Sequence, residues 1–210
     1  MKRYLGRASH MSNELSRAEM MYRHALGICE KLNWLEGMSP ICSDLGSVCA
    51  VLGRLDEAEE LQLKALEIDN KLGRSDRMAS YYGCLAMVYR RREEFDRALE
   101  MVHKSLQLSE QHGLDDEIGR QYGNLGLIYL QQYKLDEAES VLEKGLKIDK
   151  RLDRFVGVAC KYYNLGWVYR GRQNSDKAKE YWQKAKGLFD RLEMKNIVYE
   201  LERLLADIDE

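Results

Sequence analysis

Asp56, Glu57, Glu59 and Glu60 crowd one short stretch, GRLDEAEELQLKALEIDNKLGR, running from Gly53 to Arg74. Clustered carboxylates can hold a cation or divide acid and base roles between them. Either use needs partners, and the rest of the chain supplies few. His10, His24, His103 and His112 occupy unrelated positions, and none falls in an H-E-x-x-H run or at zinc-ligand spacing. Cys29, Cys42, Cys49, Cys84 and Cys160 form no C-x-x-C pair, and most sit among apolar neighbours, as reduced and buried thiols do. There is no glycine loop to cradle phosphate, and no serine, histidine and carboxylate that spacing brings together. The expectation is a non-enzymatic protein with no cofactor and no metal site.

The totals bound the rest. A chain of 210 residues, 45% hydrophobic and 32% charged, can bury a core and stay in solution. One proline and 16 glycines leave little room for linkers. A net charge of -2 gives no bulk attraction to nucleic acid or anionic lipid, and no apolar run is long enough to span a bilayer. Neither nucleic acid nor membrane is expected as a partner, and the thiol pattern fits a cytoplasmic location.

Sliding the chain against itself explains the acidic stretch. LDEAEELQLKAL at Leu55 returns as FDRALEMVHKSL at Phe95, LDEAESVLEKGL at Leu135 and SDKAKEYWQKAK at Ser175, each 40 residues on without insertion. LSRAEMMYRHAL at Leu15 is a degenerate earlier copy. A second motif precedes each full copy: CSDLGSVC at Cys42, YGCLAMVY at Tyr82, YGNLGLIY at Tyr122 and YYNLGWVY at Tyr162. Ala58, Leu61, Ala65, Ile68 and Leu72 recur in steps of three and four, the spacing of one buried helical face. Each unit therefore reads as two helices.

Within the second helix, Asp56 falls where an N-cap belongs and Glu59 where a capping box would close. Asp136 with Glu139 and Ser16 with Glu19 repeat the spacing, while Asp96 and Asp176 keep the cap alone. On this reading Glu57, Glu59 and Glu60 face water. Gly53 suits the turn within a pair, and Gly73 and Gly113 the turn between pairs. Gly46, Gly126 and Gly166, with Ala58, Ala98, Ala138 and Ala178, fall where two helices approach closely. Tyr82, Tyr122 and Tyr162, with Tyr89, Tyr129 and Tyr169, would fill the space between hairpins with their hydroxyls on polar partners.

These motifs resemble the tetratricopeptide repeat. Its W-x2-LG-x2-Y then A-x3-F-x2-A signature is matched by Tyr122, Leu125, Gly126 and Tyr129, then Ala138, Leu142 and Gly145. Tyr162, Leu165, Gly166 and Tyr169, then Ala178, Trp182 and Ala185, match it again. The usual unit is about 34 residues. The longer unit here is similar to that of kinesin light chains, spindle-orientation adaptors and bacterial regulators.

The resemblance implies an all-α, right-handed superhelical solenoid of antiparallel helix pairs whose first helices line a concave groove. It would be one domain over residues 1–210. The repeats would fall at about 1–34 (degenerate or partial), 35–74, 75–114, 115–154 and 155–194, with a closing helix at 195–208.

It also implies what the groove is for, namely holding a peptide or protein segment. Carried over position by position, the lining is Ser43, Asp44 and Ser47; Cys84, Met87, Arg90 and Arg91; Arg120, Asn124, Leu127, Leu130 and Gln131; and Tyr163, Asn164, Trp167 and Arg170. Gly83 and Gly123 would leave the floor open. Asn124 and Asn164 match the asparagine that clasps ligand main chain in the family; the alternative is a bond between adjacent repeats. Trp167, beside Tyr163, is either an anchor for the partner or packing between the last repeats. Met87 and Leu127 would make an apolar track, and Trp182 belongs to the core. Arg90, Arg120 and Arg170 favour an acidic segment or a terminal carboxylate, whereas Arg91 and Arg92 read as a solvated helix end.

A structural or self-associating scaffold, or a fragment of a larger regulator, is the second reading. It rests on the N-terminal end, where Leu15, Ala18, Met21, Tyr22 and Ala25 need cover and residues 3–12 offer a poor partner helix.

Overall fold

The computed structural model describes residues 2–208, with side chains from residue 14 onward. Among these residues every regular element is an α-helix, in keeping with an all-α repeat protein of paired antiparallel helices. The chain divides into two compact units, Met1–Leu108 and Ser109–Glu210.

In the first unit, α1 (Lys2–Lys31) packs on α2 (Leu35–Val51), which pairs with α3 (Leu55–Leu72), followed by α4 (Ser75–Arg91) and all but the last three residues of α5 (Phe95–Gln111). In the second, α6 (Asp115–Gln131) pairs with α7 (Leu135–Arg151) and α8 (Phe155–Gly171) with α9 (Ser175–Arg191). There α10 (Lys195–Asp207) lies on α9, and the two first helices, α6 and α8, touch.

The turns explain the spacing. One residue in every twenty, from Asn33 through Gly53, Gly73, Glu93, Gly113, Tyr133, Asp153 and Gln173 to Glu193, has a positive φ between 49° and 84°. The next residue's N–H reaches back five residues, as from Arg54 to Cys49 O (2.9 Å) and from Asn174 to Tyr169 O (2.9 Å). This is the Schellman closure, which satisfies the last carbonyls of each helix. Glycine fills only three of these left-handed positions, so the remaining turns were invisible to a search for glycine.

The helix starts differ from the expected caps. The N-caps are Arg54, Lys134 and Asn174, each two residues before the aspartate, and only Asn174 of these caps with its side chain, accepting from Lys177 N at 3.1 Å. Asp56 and Asp136 sit in the first turn, where negative charge still meets the positive helix end. Ser16 and Glu19 lie inside α1, which runs unbroken past them.

Glu59 does not face water either. Its side chain is only 18% exposed. It accepts from the Tyr89 hydroxyl (2.6 Å) and pairs with Arg92 and with Arg97 (3.0 Å), while Arg92 also holds Asp56 at 2.5 Å. Arg92 is thus a half-buried tie between hairpins and not a solvated helix end. The same set recurs 80 residues on, where Glu139 takes the Tyr169 hydroxyl and Arg172, and Arg172 holds Asp136. Glu57 is half-buried and pairs with Arg23 at 2.5 Å; Glu60 alone of the three is exposed. The hydroxyls of Tyr82, Tyr122 and Tyr162, by contrast, make no hydrogen bond among the described residues.

Burial opposes ionisation of Glu59 and Glu139, but the bonds from tyrosine and arginine outweigh it and pull both carboxyls below the ordinary 4.5. A depressed folded value means stability that is full above the ordinary value and lost as pH falls through the folded one. Glu59→Gln and Glu139→Gln are therefore expected each to cost about 1.5–3 kcal/mol at neutral pH. The gap from wild type should close in acid, as urea midpoints at about pH 7 and about pH 3 would register. A gap that persists at the lower pH would contradict the charged role.

At the N-terminal end, Tyr22 and Leu26 pack on Leu45, Cys49 and Ala58. Met21 does not join them; it is exposed beside Met20. The side-chain packing of residues 3–12 lies outside the described residues.

Candidate functional site

The close-approach glycines work as expected. A Cβ on Gly166 would overlap the Trp182 indole, one on Gly126 would overlap Leu142, and one on Gly46 would meet Gln62 Nε2 at 2.9 Å. Trp182 is fully buried, and its Nε1 donates to Tyr163 O at 3.1 Å. Gln62 does the same from its repeat position, donating to Ser43 O at 2.8 Å. The large second-helix side chain therefore fixes the first helix by packing and by one hydrogen bond.

That anchoring sets the exposed side of α8. Tyr163, Asn164, Trp167 and Arg170 share it at helical spacing. Trp167 is half-buried, edge-on to Trp182 (5.3 Å between centroids) and to Tyr163 (6.3 Å). The Arg170 guanidinium lies 5.5 Å from the Trp167 ring and 5.8 Å from that of Trp182. It makes no ion pair among the described residues. One edge of Trp167 packs on the core while the other stays open beside a cation.

Asn164 is only 7% exposed, yet its side chain makes no hydrogen bond among the described residues, and neither amide atom is sealed from solvent. It makes no bond between repeats. Tyr163 is less free, because its hydroxyl donates to Glu200 of α10 at 2.6 Å, and burial with that bond pushes its pKa up to about 12.

On α6, Asn124 donates to Gln121 Oε1 (3.0 Å), and Gln121 donates to Glu117 (2.5 Å). Arg120 pairs with Glu117 (2.6 Å) and Asp116 (2.9 Å). This chain of bonds along one helix ties down Asn124 and offsets the charge of Arg120. Leu127 is half-buried. Gly123 does not open a floor, because the Lys161 ammonium stands 3.2 Å from where its Cβ would be.

Sequence reasoning missed Lys161. It is buried against buried Asp149 (2.7 Å), which Arg154 also approaches (3.4 Å). The readable signal was the recurrence of Asp69 as Asp149, 80 residues on. In the first unit Asp69 instead accepts from the Tyr81 hydroxyl at 3.0 Å.

The first unit offers less. Ser47 turns back to Ser43 O at 3.0 Å, and Ser43 is buried. Met87 is half-buried against the Leu45–Val88 cluster. Arg90 is half-buried, and burial with neighbouring Arg91 lowers its pKa, while Arg91 itself caps Ala50 O.

No group of three or more histidine, cysteine, aspartate or glutamate side chains suited to a metal occurs among the described residues. Burial pushes the Cys49 thiol up to about 11, away from nucleophilic use; Cys29, Cys42 and Cys49 are buried, Cys84 is half-buried and Cys160 is exposed. Among the described residues no helix is long and apolar enough to cross a membrane.

Two tetratricopeptide repeat family models match the chain, one over residues 76–151 and one over 39–78 and 162–189. Three solved structures are similar in fold. BtubC (BKLC) from P. vanneervenii is 24% identical with a TM-score of 0.70, covering 88% of this chain and 76% of its own. Kinesin-light-chain-like repeats of Podosopora anserina are 17% identical with a TM-score of 0.63, covering 91% and 94%. A Rap protein complexed with competence and sporulation factor is 15% identical with a TM-score of 0.74, covering 92% and 58%. No curated protein matches the sequence.

Proposed function

Because the chain belongs to the tetratricopeptide repeat family of protein-binding scaffolds, we propose that the first-helix face of its second unit holds an extended segment of a protein partner. Asn164 carries the proposal. Its amide is bonded to nothing in the chain among the described residues yet still reaches solvent, so its oxygen and nitrogen can together accept from the N–H and donate to the C=O of one ligand residue. Trp167 supplies apolar contact beside it. Arg170, beside the indole rings and without a counter-charge among the described residues, prefers a carboxylate on the incoming segment. Asn124 and Arg120 belong to the rim of this face, where their bonds along α6 orient them, and Leu127 adds apolar surface. Arg90 and Met87 would serve the first unit in the same way.

The test is affinity capture with wild type and with Asn164→Ala/Arg170→Ala. The double variant should still melt as a folded helical protein and lose the captured partner by about tenfold or more, as removal of a hot spot does. Equal capture by the folded double variant would remove the proposal.

A further inference from the structure

Unit 2 has a concavity on the side of α8 away from Asn164. A cleft of about 480 Å³ opens between the C-terminal halves of α7 and α9, floored by Val158, Tyr162 and Leu188. Its size falls within the range of about 300–1,000 Å³ typical of built ligand sites. At 100° per residue, Phe155, Val158 and Tyr162 lie on roughly the opposite side of α8 from Asn164 and Trp167. The cleft is therefore separate from the face that Asn164 lines.

Three cations rim it. The Lys150 and Lys184 ammonium groups stand 5.4 Å and 5.8 Å from the Tyr162 ring centroid, and Arg191 lines the same opening. Lys184 is shared with Glu180 (2.5 Å), but neither Lys150 nor Arg191 has an ion-pair partner among the described residues. Asp153 is the one acid lining the cleft. Phe155, also part of the lining, is 57% exposed.

Gly187 keeps the cleft open. A Cβ there would meet nothing within 4 Å, so close packing does not require glycine, and a glycine inside a helix costs about 1 kcal/mol relative to alanine. The matching positions 40, 80 and 120 residues earlier carry Lys147, Gln107 and Glu67, whose length would fill such a space.

We propose that this cleft is a second docking site, for an acidic segment of a protein partner that inserts one aromatic or long aliphatic side chain. The apolar floor takes the inserted side chain. Lys150, Lys184 and Arg191 meet the flanking carboxylates, and the excess of positive charge selects acidic neighbours over basic ones.

The probe is a fluorescein-labelled octapeptide of glutamates around a central phenylalanine–leucine pair, followed by anisotropy with the full chain. Wild type should bind it. Gly187→Trp, which fills the cleft, should bind about tenfold more weakly without a lower melting temperature. Lys150→Glu/Arg191→Glu should lose the same peptide and gain a lysine-flanked version, while Asn164→Ala should bind as wild type does. An all-glutamate peptide should bind at least about tenfold more weakly than the probe.

The proposal is overturned by no binding to wild type, by equal binding to Gly187→Trp, or by equal binding of the all-glutamate peptide. Loss confined to Asn164→Ala would place the peptide on the other face. A dimer in sedimentation that Gly187→Trp dissolves would make the occupant a second copy of this chain, which also overturns it.

Discussion

Asp149→Ala is expected to lower the unfolding free energy by about 3–5 kcal/mol, the largest single effect foreseen for this chain. Asp149 and Lys161 are both buried, 2.7 Å apart, in a space that glycines leave open on every side. A Cβ on Gly119 or Gly157 would collide with the Asp149 carboxylate, and one on Gly123 or Gly145 would crowd Lys161. Removing the carboxylate leaves an ammonium buried without its partner. Replacing both partners with apolar residues of similar volume, Asp149→Leu/Lys161→Met, removes the stranded charge and should restore most or all of the loss. Urea unfolding of the two variants decides the matter. A loss of less than about 1 kcal/mol in the single variant would mean that the pair behaves as a surface ion pair.

The second large effect is one of sign. Alanine normally stabilises a helix interior relative to glycine by about 1 kcal/mol. Gly187→Ala should follow that rule, because its Cβ would meet nothing within 4 Å. Gly166→Ala should do the reverse and cost about 1–3 kcal/mol through overpacking. Its Cβ would overlap the Trp182 indole at Nε1 and Cδ1, and that ring cannot retreat. It is fully buried, bonded to Tyr163 O and edge-on to Trp167. Pushing α8 from α9 would also disturb the face that Asn164 and Trp167 share. Thermal melts showing both substitutions with the same sign would contradict this account of helix pairing.

How far these features were legible beforehand depends on the distance over which each acts. The helix pairs follow from apolar steps of three and four within one helix, and the close-packing glycines from their recurrence, so both could be read locally. The caps fall two positions before the aspartates because an aspartate is favoured both at the N-cap and in the first turn of a helix, and the repeat motif alone does not separate the two. Glu59 reads as water-facing because its own helix shows it on the flank of the buried face. Its partners, Tyr89 and Arg92, come from another hairpin. The recurrence of Glu59 with Arg92 as Glu139 with Arg172 held that information in the sequence, but only as a pairing across 33 residues. Lys161 was harder still, since a lysine in a tyrosine-rich helix reads as solvent-facing until Asp149 is placed opposite it. For the candidate site, the family pattern located Asn164, Trp167 and Arg170 on one face. It carried no information that Asn124 and Arg120 would be engaged within their own helix.

The central claim is that a partner segment lies along α8 at Asn164, Trp167 and Arg170. The most direct measurement places a photo-crosslinking residue at position 170 and, separately, at exposed position 176 on α9, and irradiates each chain with the captured partner. The account predicts a covalent adduct from position 170 and none from position 176. An adduct from position 176 with none from position 170 would contradict it.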